Sequence, residues 1–315
     1  MSFLYVNEGY KDFYNFIKQT DGITQVESDV YNPESNVSCS STTSFGYFVG
    51  EDISEIYGKF SFYVNKDNPP NSLLKLSFYN AIDASTPICY LEAYPTDSSL
   101  TNGYFPFKMV LGGQNLYAQS STDTRHCALV KSFNTVWFHI RLASSGSCTF
   151  EIRFNNNPIY SYNFISSYTS LGKLICFDLL NDVYLSNVIM SSDSINANDK
   201  IIPLEKTLVS GTATSIEGGY KFDVNNNYVN FSLSNSNIPH DYETYVSKIV
   251  CRVTNVDSAG VDSFQYLKFR DVAVSSDYTT ASIPATGEIQ NFVVDVNKLS
   301  ANTNVTVHSA EIVLE

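Results

Sequence analysis

Short runs of alternating apolar and polar residues recur along the chain, and this recurrence limits the possible folds more than any other feature. Breaks rich in Asn, Ser, Gly and Asp separate the runs at roughly 8–12-residue spacing, the pattern of an antiparallel β-sandwich. Only residues 10–19 place apolar residues at helical spacing, so a short helix is expected there. The predicted strands of the first series are residues 58–64, 73–80, 88–94, 105–111, 136–142, 148–154, 158–164, 173–180 and 183–190.

A polar stretch, residues 191–200, interrupts this first series before a second series of alternating runs begins. No residue-level repeat links the two series, so they are interpreted as different domains joined by a short linker. The fold class predicted is all-β, with two β-sandwich (jelly-roll type) domains in tandem. The predicted domains are residues 1–196 and a smaller C-terminal β-sandwich, residues 202–315.

The charge of the chain argues against two classes of partner. The net charge is −13, only 16% of residues are charged, and both halves are acidic without a basic stripe. Direct binding to nucleic acid is therefore not expected. Membrane insertion is not expected either, because the acidic charge is repelled by an anionic membrane and the sequence has no 18-residue apolar segment. The N-terminal sequence lacks a basic region followed by a long apolar run, which predicts synthesis in a host cytoplasm without a signal peptide.

The cysteines show no paired spacing. Several lie within apolar runs, as in "PICYL" and "LICFDLL", which favours buried free thiols acting as small hydrophobic residues. A disulfide framework or a zinc site remains the alternative. The six cysteines are Cys39, Cys89, Cys127, Cys148, Cys176 and Cys251.

A predicted hairpin, "TVWFHIRLASSGSCTFEIRF", contains the only tryptophan and the candidate ligand-binding residues. A turn symmetric about Ser145 sets His139 opposite Glu151, Trp137 opposite Arg153, and Arg141 opposite Thr149. The first pair is expected to form a salt bridge and the second a cation–π contact. The candidate ligand-binding residues are Trp137, His139, Arg141, Glu151 and Arg153.

Two interpretations of this polar face remain open. In one, the aromatic ring stacks on a sugar while the charged groups hold its hydroxyls. In the other, the face meets solvent or a neighbouring domain and Trp137 packs under Arg153. Tyr104 and Tyr168 are expected to be exposed, at a rim site or a subunit interface.

The same segments resemble a known family. "VWFHIRL", "FEIRFNNNPIYSY" and the closing run "VYLSNVIMSSD" resemble strands of concanavalin A-like (laminin G-like) jelly rolls. This resemblance covers roughly residues 1–195 and implies a fold that hosts lectins, glycosidases, adhesins and viral appendages. In the second half, "VSGTATSIEGGYKFDVNNNYVNFSLS" resembles β-rich modules of bacteriophage appendages.

Enzymes of the concanavalin-like fold commonly carry two carboxylates on one strand for retaining glycoside hydrolysis. The nearest sequence here, "GEDISEIYG", places Glu51, Asp52 and Glu55 in the wrong alternation, so a solvated loop cluster is predicted. The four histidines form no metal-binding pair, and residues 223–227 are expected to be a turn rather than a calcium loop. The prediction is a protein without catalytic activity, cofactor or metal.

The function expected from these observations is a bacteriophage virion protein, such as a head or tail appendage, fibre or decoration protein. It is expected to assemble with other virion proteins, to attach to host-surface glycans, and to form a homo-oligomer, with a trimer as the guess. The virion is its predicted location. The alternative is a stand-alone carbohydrate-binding lectin or cell-surface adhesin module, and a glycoside hydrolase ranks lower.

Overall fold

A computed structural model shows two compact units, Met1–Ile201 and Ile202–Glu315. Secondary structure is described for residues 3–7, 16–19, 23–28, 32–39, 43–49, 51–65, 72–81, 84–94, 104–118, 127–179, 183–198, 205–216, 219–222, 228–234, 245–254, 267–271, 276–279, 289–300 and 303–309. Side chains are described for residues 46, 49, 51–65, 72–81, 84–94, 104–117, 127–179, 183–198, 207–216, 220–222 and 228–233. Every regular element in these ranges is a β-strand. Among the described residues, no helix has the length and apolar character needed to span a membrane.

The strands of the first unit follow the alternating runs of the sequence. They are β1 (Phe3–Asn7), β2 (Phe16–Gln19), β3 (Ile23–Ser28), β4 (Asn32–Cys39), β5 (Thr43–Phe48), β6 (Glu55–Val64), β7 (Leu74–Tyr79), β8 (Cys89–Ala93), β9 (Tyr104–Leu111), β10 (Gln114–Ala118), β11 (Cys127–Leu129), β12 (Phe133–Arg141), β13 (Ser147–Phe154), β14 (Tyr160–Ile165), β15 (Leu174–Leu179) and β16 (Val183–Ser191).

These strands form two antiparallel eight-stranded sheets. The first sheet has the order β14-β13-β12-β6-β16-β4-β3, with β1 also paired to β16. The second sheet has the order β10-β9-β8-β7-β15-β5-β2, with β11 also paired to β9. Most neighbouring strands are far apart in sequence, so the sheets are assembled by long-range pairing.

The inner faces of the two sheets pack on each other through aromatic rings. Phe60 on β6 meets Phe177 on β15 edge to face, with ring centroids 5.5 Å apart. The ring centroids of Phe107 on β9 and Phe154 on β13 are 4.5 Å apart. Phe60, Phe107 and Phe154 are fully buried, so each contributes roughly 1.5–3 kcal/mol relative to an exposed ring. The first unit is therefore a β-sandwich.

One close approach within the first sheet depends on a glycine. The ring of Phe138 on β12 lies against Gly58 on β6, its direct cross-strand partner. A Cβ at Gly58 would collide with that ring and would lie 2.9 Å from the sulfur of Met190. Gly58 thus allows the buried Phe138 ring to cross the neighbouring strand.

The second unit is also built from antiparallel strands. Its sheets have the orders β17-β20-β25-β22-β23, β18-β19 and β21-β24. The strands are β17 (Glu205–Gly211), β18 (Thr214–Ile216), β19 (Gly219–Lys221), β20 (Tyr228–Ser234), β21 (Tyr245–Thr254), β22 (Leu267–Asp271), β23 (Ser276–Thr279), β24 (Ile289–Ser300) and β25 (Thr303–Ser309).

The all-β fold class predicted from the sequence is confirmed, and the nine predicted strands of the first series correspond to β6–β9 and β12–β16. The predicted helix at residues 10–19 is wrong over Phe16–Gln19, which forms β2 and pairs with β5. Residues 10–15 lie outside the described residues. The phage-type assignment of the second unit and the domain boundaries stay predictions.

The buried free thiols expected from the sequence are confirmed at the four cysteines whose side chains are described. Cys89, Cys127, Cys148 and Cys176 are buried and form no disulfide. Burial raises the pKa of the Cys89 thiol well above its ordinary value, because the apolar surroundings penalise the thiolate. The side chains of Cys39 and Cys251 lie outside the described ranges.

Candidate functional site

The outer face of the first sheet carries three rows of side chains that run across the strands. Residues paired directly on antiparallel strands point to the same face, so the register defines each row. The open row is Asn163, Thr149, Arg141 and Glu55; the central row is Ser161, Glu151, His139 and Tyr57; the covered row is Arg153, Trp137, Lys59 and Ile189.

His139 lies at the middle of the central row and contacts a carboxylate on each side. Its Nδ1 is 3.0 Å from Glu151 Oε2, and its Nε2 is 2.9 Å from Glu55 Oε1. The imidazole also stacks on Tyr57, with centroids 4.0 Å apart and the rings 2° from parallel. His139 is only 7% exposed, so these contacts hold the ring in a fixed orientation. The contact predicted between His139 and Glu151 is confirmed.

The hydrogen bonds of His139 constrain where the protons of this cluster lie. An ionised carboxylate only accepts hydrogen bonds, so both ring nitrogens donate only when the imidazole carries two protons. With one proton on the ring, Glu55 or Glu151 must carry the other. Both nitrogens are occupied in either case, and His139 is therefore not a free base facing solvent.

Tyr57 donates a hydrogen bond from its hydroxyl to Glu55 Oε1 at 3.2 Å. Burial raises the pKa of the Tyr57 phenol, and the negative charge of Glu55 and the hydrogen bond to it raise the pKa further. Arg141 opposes this shift. Tyr57 therefore keeps its proton at neutral pH and acts as a hydrogen-bond donor.

Trp137, in the covered row, does not present its ring to solvent. It is 6% exposed, packs with Ile189 and Ile195, and donates from Nε1 to the Ile195 carbonyl at 3.0 Å. Of the two interpretations of this face, this burial favours the one in which Trp137 packs within the protein over the one in which it stacks on a sugar. The structure shows no cation–π contact between Trp137 and Arg153, although their predicted register is confirmed. The chain that follows β16 covers the indole instead.

The open row is accessible and polar. Arg141 and Asn163 are exposed, Thr149 and Glu55 are half-buried, and Thr149 Oγ1 donates to Asn163 Oδ1 at 3.1 Å. No ion pair joins Arg141 or Arg153 to another side chain in the described ranges. The Nε of Arg153 is buried and lacks a hydrogen-bond partner there. Buried donors are nearly always satisfied, so this nitrogen is an exception within the covered row.

The structure places all five candidate residues on the outer face of the first sheet, where Arg141 is exposed, Glu151 and Arg153 are half-buried, and His139 and Trp137 are buried. Their role in ligand binding stays a prediction. Glu55 and Tyr57 also reach the site, from β6, and the hairpin sequence did not predict them. Glu55 was expected in a solvated loop, but it begins β6 and contacts His139. The alternation of Glu55, Tyr57, Lys59 and Ser61 was the available signal.

Three His or acidic side chains meet here, but they do not form a metal site. The two carboxylates approach opposite nitrogens of His139, so no single ion can contact all three groups. Among the described side chains, no group of three His, Cys, Asp or Glu residues is placed to hold a metal. Residues 223–227, expected to be a turn, lie outside the described residues.

The comparisons with known proteins give information on the fold alone. No family model and no curated protein matches the sequence. A glucuronan lyase from the fungus Trichoderma reesei is similar, with 13% identity over 60% of this chain and 95% of that chain, TM-score 0.44. A lectin from Bauhinia forficata is similar, with 9% identity over 61% of this chain and 98% of the lectin, and a TM-score of 0.39. An alginate lyase from Aplysia kurodai is similar, with 8% identity over 61% of this chain and 100% of the lyase, and a TM-score of 0.39.

The structure itself establishes a β-sandwich of antiparallel sheets, and the concanavalin A-like assignment stays a resemblance of the sequence. The comparisons correct one prediction. The exclusion of enzymatic activity is wrong as stated, because polysaccharide lyases are among the similar structures. The exclusion depended on the carboxylate pair of retaining glycosidases, and that pair tests only for glycoside hydrolysis.

Proposed function

We propose that the first unit binds a glycan across the open row of its first sheet. The observation that carries this proposal is the state of Arg141, which is exposed and forms no ion pair with any described side chain. In the neighbouring central row, His139 is satisfied by two carboxylates. The site is therefore internally arranged while the Arg141 guanidinium remains available to a ligand.

The chemistry of the open row suits a sugar chain with carboxylate groups. Asn163, Thr149 and Glu55 offer hydrogen-bond donors and acceptors for hydroxyl groups, and Arg141 offers a planar fork that matches a carboxylate. Four adjacent strands span about 14 Å at the usual strand spacing of about 4.8 Å. Such a row can contact consecutive sugars of a chain lying across the strands. The ligand class proposed is an anionic glycan.

Within this proposal, the central row positions the open row. The contacts of His139 with Glu55 and Glu151 hold three strands in one register, and Arg141 lies opposite Glu55 on the neighbouring strand. The Tyr57 hydroxyl keeps its proton in this arrangement, because burial and Glu55 raise its pKa more than Arg141 lowers it. A sugar oxygen that reaches Tyr57 would receive a hydrogen bond, and the same proton is available to a leaving group.

A glycan array probed with the full chain tests the proposal. The array carries neutral oligosaccharides and oligosaccharides containing uronic acids, and soluble products are followed by ultraviolet absorbance for the double bond that a lyase reaction forms. We expect binding to uronic-acid chains, and loss of that binding in Arg141→Ala. Lys131→Ala is the matched control, because Lys131 is an exposed cation that bonds Asn65 away from this face.

Two results contradict the proposal. Absence of binding to every glycan would remove it, and equal losses in Arg141→Ala and Lys131→Ala would show a charge effect without a site. Formation of the double bond would add turnover to the binding function. In that case Tyr57→Phe should reduce the rate more than the affinity, because the hydroxyl is lost while the guanidinium groups remain.

We further propose that the protein acts within a bacteriophage virion, where glycan binding attaches the particle to a host surface. The support is the resemblance of the second half to modules of phage appendages. Mass spectrometry of gradient-purified particles tests this location: the chain should co-purify with the virion at a constant ratio to the capsid protein. Its absence from particles would favour the stand-alone lectin or adhesin.

A further inference from the structure

The strand β14 ends the first sheet and leaves one of its edges open. It pairs with β13 on one side, from Tyr160 opposite Ile152 to Ile165 opposite Ser147. In an antiparallel pair, alternate residues direct their N–H and C=O groups away from the partner. Among the described strands, none pairs with the outer edge of β14, so its outward-directed backbone groups form a template for another strand.

Edge strands of natural sheets carry features that block such pairing, and β14 lacks them. It contains no charged residue, its register with β13 has no shift, and Pro158 lies before the strand rather than within it. Other sheet-end strands longer than three residues in the described part of the chain carry a charge, a register shift or both. Examples are β2 with Lys18, β3 with Glu27, β10 with a shift after Asn115, β17 with Lys206 and β23 with Asp277.

The sequence of this edge is symmetric in residue type about Tyr162. The run "IYSYNFI", residues 159–165, has Ile at both ends, aromatic residues next, polar residues after them and Tyr162 at the centre. A second copy paired antiparallel about Tyr162 would set Ile159 opposite Ile165, Tyr160 opposite Phe164, and Ser161 opposite Asn163. Each side chain would then face one of its own kind, as a two-fold interface requires.

The exposure and the charge of this segment also favour a second copy of the chain at the β14 edge. Ile165 is 90% exposed, Ile159 is 50% exposed and Tyr162 is 38% exposed. No charged residue occurs between Arg153 and Lys173, although the chain carries a net charge of −13. Two copies repel each other through most of their acidic surface, and this segment lets them approach without adjacent like charges.

We propose that β14 is a two-fold interface at which a second copy of this chain pairs antiparallel, centred on Tyr162, and joins the two first sheets into one. This inference is independent of the proposed glycan site. The pairing gives the homo-oligomer expected from the sequence a defined surface, and it gives a dimer in place of the guessed trimer. The open rows of both copies would lie on one continuous sheet.

The mass of the full chain in solution, measured by light scattering over a range of concentrations, tests the proposal. We expect a reversible dimer in the wild type and at least a tenfold weaker dimer in Tyr162→Lys, which sets two lysines opposite each other. Ile165→Lys should weaken the dimer similarly, and because Ile165 is 90% exposed this loss would not come from a folding defect. Tyr104→Lys is the matched control, because Tyr104 has nearly the same exposure as Tyr162, 37%, but lies on β9 in the second sheet.

A cross-link tests the register itself. Residues directly opposite on antiparallel strands have Cα atoms about 4.5–5.5 Å apart, within the range of a disulfide. Tyr162→Cys should therefore give a covalent dimer on mild oxidation, and Tyr104→Cys should not. The proposal is overturned by a wild type that is monomeric at every concentration, by a trimer, by an unchanged dimer in Tyr162→Lys, or by equal cross-linking of the two cysteine variants.

Discussion

Trp137→Phe should destabilise the first unit although it keeps an aromatic ring at a buried position. The substitution removes the Nε1–H that the Ile195 carbonyl accepts at 3.0 Å, and Ile195 is 2% exposed. A buried acceptor left without its donor costs about 1–3 kcal/mol. Trp137→Ala also leaves a cavity beside Ile189, so its cost should rise to about 3–5 kcal/mol.

Urea denaturation followed by circular dichroism measures both costs, with an unchanged slope of free energy against denaturant expected in each variant. Tyr168→Phe is the control, because it alters an exposed residue and should change stability by less than about 0.5 kcal/mol. Trp137 is the only tryptophan, so acrylamide quenching of the wild type reports its exposure directly. A Trp137→Phe cost within about 0.5 kcal/mol, together with rapid quenching, would refute the buried position.

Three further changes have defined outcomes. Gly172→Ala should destabilise the protein by more than about 1 kcal/mol, measured by urea denaturation, because φ is +97° and the new Cβ would meet the Tyr79 backbone. Stability should fall as pH rises above about 10, because burial raises the folded-state pKa of Tyr57, Tyr79 and Tyr94 above the unfolded value of 10.0. Cys89 should react with a thiol reagent only after unfolding, measured by mass spectrometry of labelled peptides.

Each of these outcomes has a contrary result. If Gly172→Ala unfolds at the same urea midpoint as the wild type, the backbone around residue 172 relaxes to accept the new Cβ, and the expected loss of stability is contradicted. A midpoint that stays constant between pH 9 and 11 would show that the tyrosine pKa values are unshifted on folding, since raised values give stability that is complete below pH 10 and lost above it. Labelling of Cys89 at the rate of an exposed thiol would contradict its burial.

The hairpin β12–β13 was predictable because its register is set locally. The short turn around Ser145 fixes which residues face each other, and alternation then separates the buried side chains from the polar ones. Both the His139–Glu151 contact and the Trp137–Arg153 register followed from that geometry. The cation–π contact did not follow, because the orientation of the indole depends on Ile195, which lies far along the chain.

The rest of the site depends on pairing that local patterns do not specify. Glu55 and Tyr57 reach His139 because β6 pairs with β12, across a long sequence separation. Any alternating strand could have occupied that position as far as its own sequence shows. The helix expected at residues 10–19 failed for a related reason, since a short apolar pattern fits either a helix or a strand, and pairing with β5 decides Phe16–Gln19.

Calorimetric titration of the full chain with a uronic-acid oligosaccharide tests the glycan site most directly. The titration compares wild type, Arg141→Ala and Lys131→Ala at low and at raised salt. A truncated charged hydrogen bond is worth about 1.5–3 kcal/mol, so Arg141→Ala should weaken binding about 10- to 150-fold. Lys131→Ala should bind like wild type, and salt should weaken wild-type binding. Wild-type affinity in Arg141→Ala, or no heat of binding in the wild type, would contradict the account.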